Sequence, residues 1–510
     1  MQQGKYYVFF YDVPGRNIAS GSLPIKEGTP VTACPVSVVE AKEDVPLAPI
    51  IVDWEADDKE NPFNWSKPRK WRISLTGSSF TGLTAATGAL VAAGSQSMIR
   101  DLHCTSEQAQ ATLALFALGF GVAPLALSAY SEEFGRKPIY LVSFAIFTLF
   151  FMPIALAKNV QTVMISRFIQ GAAGSTGGAM VAGTLADIWV TGERGFPMAI
   201  YTFAAFFGTG MGPTIAGWVE LKLHWRWIEW IAMCFGSVLG LWMALYGVQE
   251  TRGHILLGRR AEKLRKSTGD NRYQVAYRPK MRELIWISIT RPIYLLVTEP
   301  VVASISLWIG FGWGVLYGLV DSVGLVFGAL HGFNVAQQGM VFLTVAIGSI
   351  IGLIGNIYQE RLYARDVGRF GPEARLYAAS VAGVGFAIGS LIYAWTSFSS
   401  VHWIAPCIGL TVISASIFTI YLASFSYLAD SYLVYASSAL SGQGLVRNLL
   451  ATGFPLFTPQ MYTKLNFRWA STLLGLVAAG LAPIPIVLFF WGPQIRARSK
   501  FARRLIGVEK

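Results

Sequence analysis

The residues best placed to do chemistry are few, and most stand inside or beside apolar runs. Glu132, Gly135, Arg136 and Lys137 lie in the stretch Leu127–Pro138, which one long apolar segment enters and another leaves. Gly135 permits a sharp turn, and the two cations open the next helix, where the helix dipole is already positive. Glu132, one helical turn earlier, is the nearby carboxylate that would offset that repulsion. An ordinary basic loop on one membrane face is the better account of Arg136-Lys137 taken alone. Arg167 sits several residues inside an apolar run, where a charge is expensive and normally faces a bundle interior, a wet cavity or, by snorkelling, the surface. Glu299 stands ~12 Å along its helix beyond Arg291, at 1.5 Å rise per residue. There a carboxyl could exchange a proton or pair with a neighbouring cation. Trp313 and Tyr317 on the same segment, with Asn356, Arg447 and Asn448, are candidates to line a binding cavity. Packing against a neighbour is the plainer account of the aromatic pair. No catalytic set accompanies them: the histidines are isolated, and Cys34, Cys104, Cys234 and Cys407 have neither metal-ligand nor paired spacing. A phosphate-cradling Gly-x-x-x-x-Gly-Lys is also missing, which argues against ATP as the energy source.

The elements that must position these groups are membrane spans. Of 510 residues, 53 % are hydrophobic and only 14 % charged, far from the balance of a soluble domain. The charges gather between apolar runs of about 20 residues, the length a bilayer requires. The runs fall at 73–98, 108–128, 138–157, 160–185, 197–221 and 228–248, then at 292–318, 336–358, 376–396, 402–426, 436–460 and 469–491. The expected organisation is a polar tail (1–71), a six-span half (72–248), a basic loop (249–291), a second six-span half (292–492) and a basic tail (493–510). The tail reads as disordered, and Leu256 to Leu264 reads as an amphipathic helix on the inner leaflet. A net charge of +12 does not point to nucleic acid, because the cations lie in alternate loops and at the tails. That pattern places both termini in the cytosol. Gly355 to Arg361 and Gly368-Arg369 sit where the first half has its Glu132 loop, as expected of a duplicated layout.

Several ordered motifs carry a resemblance. The Glu132, Gly135, Arg136, Lys137 set resembles the loop between helices 2 and 3 of the major facilitator superfamily, with Ser128 in place of a glycine and Glu132 in place of the usual aspartate. Arg167-Phe168-Ile169-Gln170-Gly171 resembles that family's helix 4 motif, linked there to proton coupling, and Asp187 continues the match. Gly208-x-x-x-Gly212-Pro213-x-x-x-Gly217 resembles its antiporter motif, which is associated with exporters. Packing alone would also favour such glycines in a membrane helix. Glu299-Pro300, Gly314-x-x-Tyr317 and the tract from Asp430 through Met461-Tyr462 resemble the fungal drug:proton antiporter branch. The resemblance implies an all-α polytopic protein of two six-helix bundles with a state-locking loop at Glu132 and Arg136. It further implies proton-driven efflux of a xenobiotic or secondary metabolite, with Arg167, Gly171, Asp187 and Glu299 in coupling. Partners would be a small molecule, protons and membrane lipid, with no cofactor, no metal and no nucleic acid. The protein would act as a plasma-membrane monomer and not as an enzyme. A dedicated carrier for one organic acid or polyamine, or a non-transporting sensor of the same fold, are the competing readings.

Overall fold

Glycine, proline and capping side chains decide where this chain turns. The computed structural model describes residues 49–55, 57–190, 192–275 and 281–498. Cys34, Arg278, Lys280 and the end of the basic tail lie outside them. The first half runs α1 (Lys67–Leu102), α2 (Ser106–Val122), α3 (Pro124–Glu133), α4 (Arg136–Leu149), α5 (Phe151–Ala155), α6 (Val160–Ile188), α7 (Gly195–Lys222) and α8 (Trp225–Trp242). Helix α9 (Gly253–Thr268) and α10 (Met281–Thr298) follow. The second half has α11 (Pro300–His331), α12 (Val335–Val341), α13 (Leu343–Phe370), α14 (Leu376–Thr396), α15 (Ile404–Tyr432), α16 (Ala436–Leu481) and α17 (Pro483–Arg498). Helix pairs α2/α3, α4/α5 and α12/α13 each make one pass. The left-handed Asn466 divides α16, so that its last part joins α17 as the twelfth pass. The second span of each half opens with the same device, a capping box: Thr105 with Gln108, and Asn334 with Gln337.

Each half has its own core. Phe80, Phe144, Phe147 and Phe151 stack edge-on in the first, and Trp308, Phe386, Phe418 and Tyr427 anchor the second. In lipid, apolar side chains gain nothing by leaving water, so association rests on packing and on hydrogen bonds between helices. Accordingly, hydroxyls bridge helices in the first half. Thr81 Oγ1 donates to the Gly177 carbonyl at 2.5 Å, Ser143 meets Thr176 at 2.7 Å, and Tyr140 meets Thr184 at 2.9 Å.

Three expectations are corrected. The seventh span does not run through Glu299: α10 ends at Thr298 and α11 restarts at Pro300, because proline supplies no N–H and suits a helix start. The stretch after the eighth span is not a loop. Helix α13 continues to Phe370, so Glu360, Arg361, Arg365 and Arg369 lie on a helix and not in a loop. Finally, the tail is not disordered throughout, for its described part is folded against α9. Ile50–Ile51 pairs in parallel with Tyr273–Gln274, and Val52 packs on Leu257 and Ala261 of α9. The amphipathic helix expected at 256–264 is α9, and the apolar stripe it shows is covered by this segment of the tail.

Asp58 ties that segment down. It accepts from the backbone N–H of Glu60 at 2.9 Å and pairs with Arg260 of α9. These two contacts, the backbone one first, hold its carboxyl below the usual carboxylate range. A depressed carboxyl contributes stability that is present above its unfolded value and lost as pH falls through the folded one. Amide exchange at residues 50–52 and 273–274 should therefore stay slow at neutral pH and quicken only on strong acidification. In Asp58→Asn it should be fast throughout.

Candidate functional site

The turn at Gly135 builds the first cluster. Gly135 has φ +93°, and a side chain there would strike the carboxylate of Glu250. That carboxylate caps α4: Oε1 accepts from the backbone N–H of Arg136 at 3.0 Å, and Oε2 from that of Lys137 at 3.2 Å. The side chain of Arg136 turns to Asp187 at the end of α6, with Nε 2.5 Å from Oδ2. Glu132, expected as its partner, instead meets Arg252 at 3.5 Å, and Arg252 also reaches Asp187 at 3.5 Å. Glu132, Arg136 and Asp187 do come together, in a ring that Glu250 and Arg252 complete.

The second half repeats this arrangement with different residues. Arg375, at the start of α14, pairs with Asp430 near the end of α15 at 3.0 Å and with Glu360 of α13 at 2.5 Å. Glu373 pairs with Arg496 at the end of α17, much as Glu250 follows the sixth span. The turn glycine is Gly371, with φ +65°, and not Gly368. Leu185-Ala186-Asp187 and Leu428-Ala429-Asp430 are the sequence repeat that marks the two equivalent acids.

Arg167 is buried, 1 % exposed, and does not snorkel. Its Nη2 lies 2.5 Å from Oε1 of the buried Glu229 on α8, and its Nη1 donates to the Thr87 carbonyl and to Gln170. Glu229 was legible by the rule that singled out Arg167, a charge within an apolar run. Gly171 lets α6 pack directly on the backbone of Phe116 in α2.

Helix α7 is a seam with two faces. A side chain at Gly208 or Gly212 would collide with the backbone of Gly82 or Ala86 on α1. At Gly210 or Gly217 it would collide with α12–α13 in the other half. Thr214 Oγ1, one residue after Pro213, donates across that second contact to the Gly339 carbonyl at 2.9 Å.

Two cavities lie between the halves. One, of about 280 Å³, opens toward the face carrying Arg136 and is lined by Tyr201, Tyr421, Gln443, Arg447 and Asn448, with Glu132, Arg136, Arg194, Arg375 and Asp430 nearer the mouth. The other, of about 350 Å³, is lined by Gln96, Gln110, Leu113, Asp321, Gln338 and Pro459 near the opposite face. Asp321 is the one ionisable residue in its lining, and its enclosed Oδ2 has no hydrogen-bond partner among the described residues. Phe116, Tyr317 and Gly88 meet between the two, and Trp313 packs on Phe206 and Tyr421, with ring centroids 5.1 Å apart in both cases. Asn356 is half-buried and lines neither cavity. Glu299 also lines neither. It sits buried at the N-cap of α11 and accepts from Tyr432 Oη at 3.1 Å. Asp321, ten residues before the far end of the same helix, lies about 33 Å from it at 1.5 Å per residue.

Two ordered halves, a charge ring repeated in each and a glycine seam between them agree with what sequence comparison finds: the family model described as Major Facilitator Superfamily matches residues 75–455. The chain belongs to that superfamily. This facilitator is 34 % identical to the MFS-type transporter paaT of Penicillium rubens, over 89 % of its own length and 84 % of the relative's. It is 36 % identical to the efflux pump atB of Aspergillus terreus over 75 % of the chain and 83 % of atB. It is 33 % identical to a citrinin biosynthesis cluster MFS transporter, mrr1, of Monascus ruber over 89 % of the chain and 92 % of mrr1. In fold the facilitator is similar to a crystal structure of the human organic anion transporter MFSD10, with a TM-score of 0.57 at 16 % identity, covering 82 % of this chain and 99 % of that one. It is thus a multi-pass membrane transporter.

Removing one member of a buried pair strands the other charge, at about 3–5 kcal/mol, while replacing both with apolar residues of similar volume is often near neutral. Arg167→Met and Glu229→Met should each sharply lower the melting temperature of the detergent-purified facilitator, and the double variant should recover most of that loss. Equal loss in the double variant would show that the pair is not a unit. At the Arg136 ring, Glu132→Ala removes a half-exposed contact worth about 0–1 kcal/mol. Glu250→Ala strips the cap from α4 and should destabilise more in the same melting assay.

Proposed function

We propose that this facilitator exports a small organic compound, a secondary metabolite or xenobiotic, in exchange for protons. The observation that carries the reading is the pair of cavities opening toward opposite faces of one interface and divided at Phe116 and Tyr317. A carrier that works by alternating access needs a site reached first from one side and then from the other, and rocking one bundle against the other along the α7 seam would supply it. The names of atB and mrr1, an efflux pump and a biosynthesis-cluster transporter, support the direction and the class of cargo. The loops carrying Arg136, Arg194 and Arg375 face the cytosol by the positive-inside rule. The 280 Å³ cavity is then the inner one, both termini are cytosolic, and the protein acts as a monomer in the plasma membrane. The rings around Arg136 and Arg375 hold the inner ends of the helices and part when the state changes.

A proton taken from outside needs an acid that outside water reaches. Glu299 stays buried against Tyr432 at the inner end of α11, whereas Asp321 lines the outer cavity. Asp321 is therefore the group that takes up the proton, with Glu299 holding the α10–α11 break. In a strain lacking the protein, an export screen with and without a protonophore should identify a cargo whose release depends on the gradient. Asp321→Asn should then lower uphill export at least about tenfold while cargo binding persists, the signature of a lost coupling step. Glu299→Gln should retain export. The reverse pattern would move coupling to Glu299.

A further inference from the structure

The sequence leaves the sign of the cargo open, because Arg167, Arg447 and Glu299 offer both charges. The structure removes two of the three from the inner cavity. Arg167 is spent on Glu229, and Glu299 lies outside the lining. Four guanidinium groups and two carboxylates remain in that lining. Those nearer the mouth are engaged: Arg136 with Asp187, Glu132 with Arg252, Arg375 with Asp430 and Glu360, and Arg194 through Nη2 with the carbonyls that end α6, its Nε having no partner among the described residues. Arg447 differs in lying deeper, among aromatic rings. Its Nη1 donates to Tyr421 Oη at 2.9 Å, and its guanidinium carbon stands 4.9 Å from the Trp313 ring and 5.3 Å from that of Tyr421. Among the described residues no carboxylate lies within ion-pair distance of it. Its enclosed Nε has no hydrogen-bond partner. One turn earlier on α16, Gln443 lines the same cavity, is 2 % exposed, and its Nε2 also has none.

Buried donors are nearly always satisfied, so two orphans on one face of one helix point to an acceptor that arrives with the ligand. A guanidinium fork and an amide N–H match a carboxylate or a comparably delocalised oxyanion. The rings of Phe120, Tyr421 and Phe425 in the same lining suit an aromatic or conjugated body beside it. We propose that Gln443 and Arg447 form an oxyanion site and that the cargo is an aromatic or conjugated organic acid bound as its anion. The inference rests on the export reading for the word cargo, but the site can be tested without any gradient.

The test uses the purified full-length protein and three probes of one shape: 2-naphthoate, 2-naphthalenemethanol and 2-naphthylmethylammonium. Calorimetric titration should give the tightest binding for naphthoate, by about tenfold or more over the other two, a tenfold step being 1.4 kcal/mol. Arg447→Gln and Gln443→Leu should each weaken naphthoate about tenfold and leave the alcohol within about twofold. Arg447→Lys, which keeps the charge but not the fork, should fall between and covers the case in which Arg447→Gln fails to fold. Equal affinity for all three probes, no binding of naphthoate, or naphthoate binding untouched by any of the three variants overturns the proposal. Charge-selective binding without proton-dependent export would retain the oxyanion site and reject the antiport reading. Export without charge selectivity would do the opposite.

Discussion

A helix that begins with two cations at a buried turn needs negative charge from somewhere, and that requirement shapes the first half of this protein. Arg136 and Lys137 open α4, where unsatisfied backbone N–H groups already carry positive partial charge. The carboxylate of Glu250 answers both demands, accepting from the two orphan N–H groups and sitting against the positive end of the helix. It can do so only because Gly135 leaves room for it. Asp187 then takes the guanidinium, and Arg252 ties Asp187 to Glu132. The ends of spans two, three, four and six on this face are thereby held by one connected set of charges. Its repetition around Arg375 holds the second half in the same way, which is the strongest internal evidence of duplication.

Between the halves the physics is different. Among the described residues no ion pair lies on the α7 seam; backbone lies close to backbone, with small residues on two opposite faces of one helix. Such a contact is strong only while the surfaces match, and it can slide without stranding a charge. The charge rings resist small displacements, whereas the seam tolerates them. Rigid ends joined by a permissive interface are what a rocking carrier requires.

The polar groups within the spans sort by whether a partner reaches them. Arg167 and Glu229 pair through Nη2 and Oε1 inside the first bundle and brace it, and their remaining enclosed atoms, Arg167 Nε and Glu229 Oε2, face no cavity between the halves. Asp321 in one cavity, and Gln443 and Arg447 in the other, keep donor or acceptor capacity that the protein itself does not use. A membrane protein retains an unsatisfied polar atom only against a steep desolvation penalty, and where such an atom also lines a cavity, solvent or a ligand can relieve it.

The sequence by itself determined the twelve spans, their division into two sets of six, the turn at Gly135, the amphipathic α9 and the glycine-bearing α7. Span length, turn chemistry and helix periodicity are local properties, written within some twenty residues. Glu299 is misplaced when the apolar run is taken straight through Pro300, although a proline within a run is itself a break signal. A loop is expected after residue 358 because hydropathy follows the membrane while the helix runs on through charged residues. The partners of the buried charges were decided by tertiary structure alone. Arg136 meets residues 51 and 114 positions away, and Arg167 one 62 positions away. Such pairings depend on the rotation and tilt of whole helices, which the packing of every neighbour sets together. For the same reason the sequence named Arg447 but left its role and the sign of its ligand open: only the fold shows which charges are already spent.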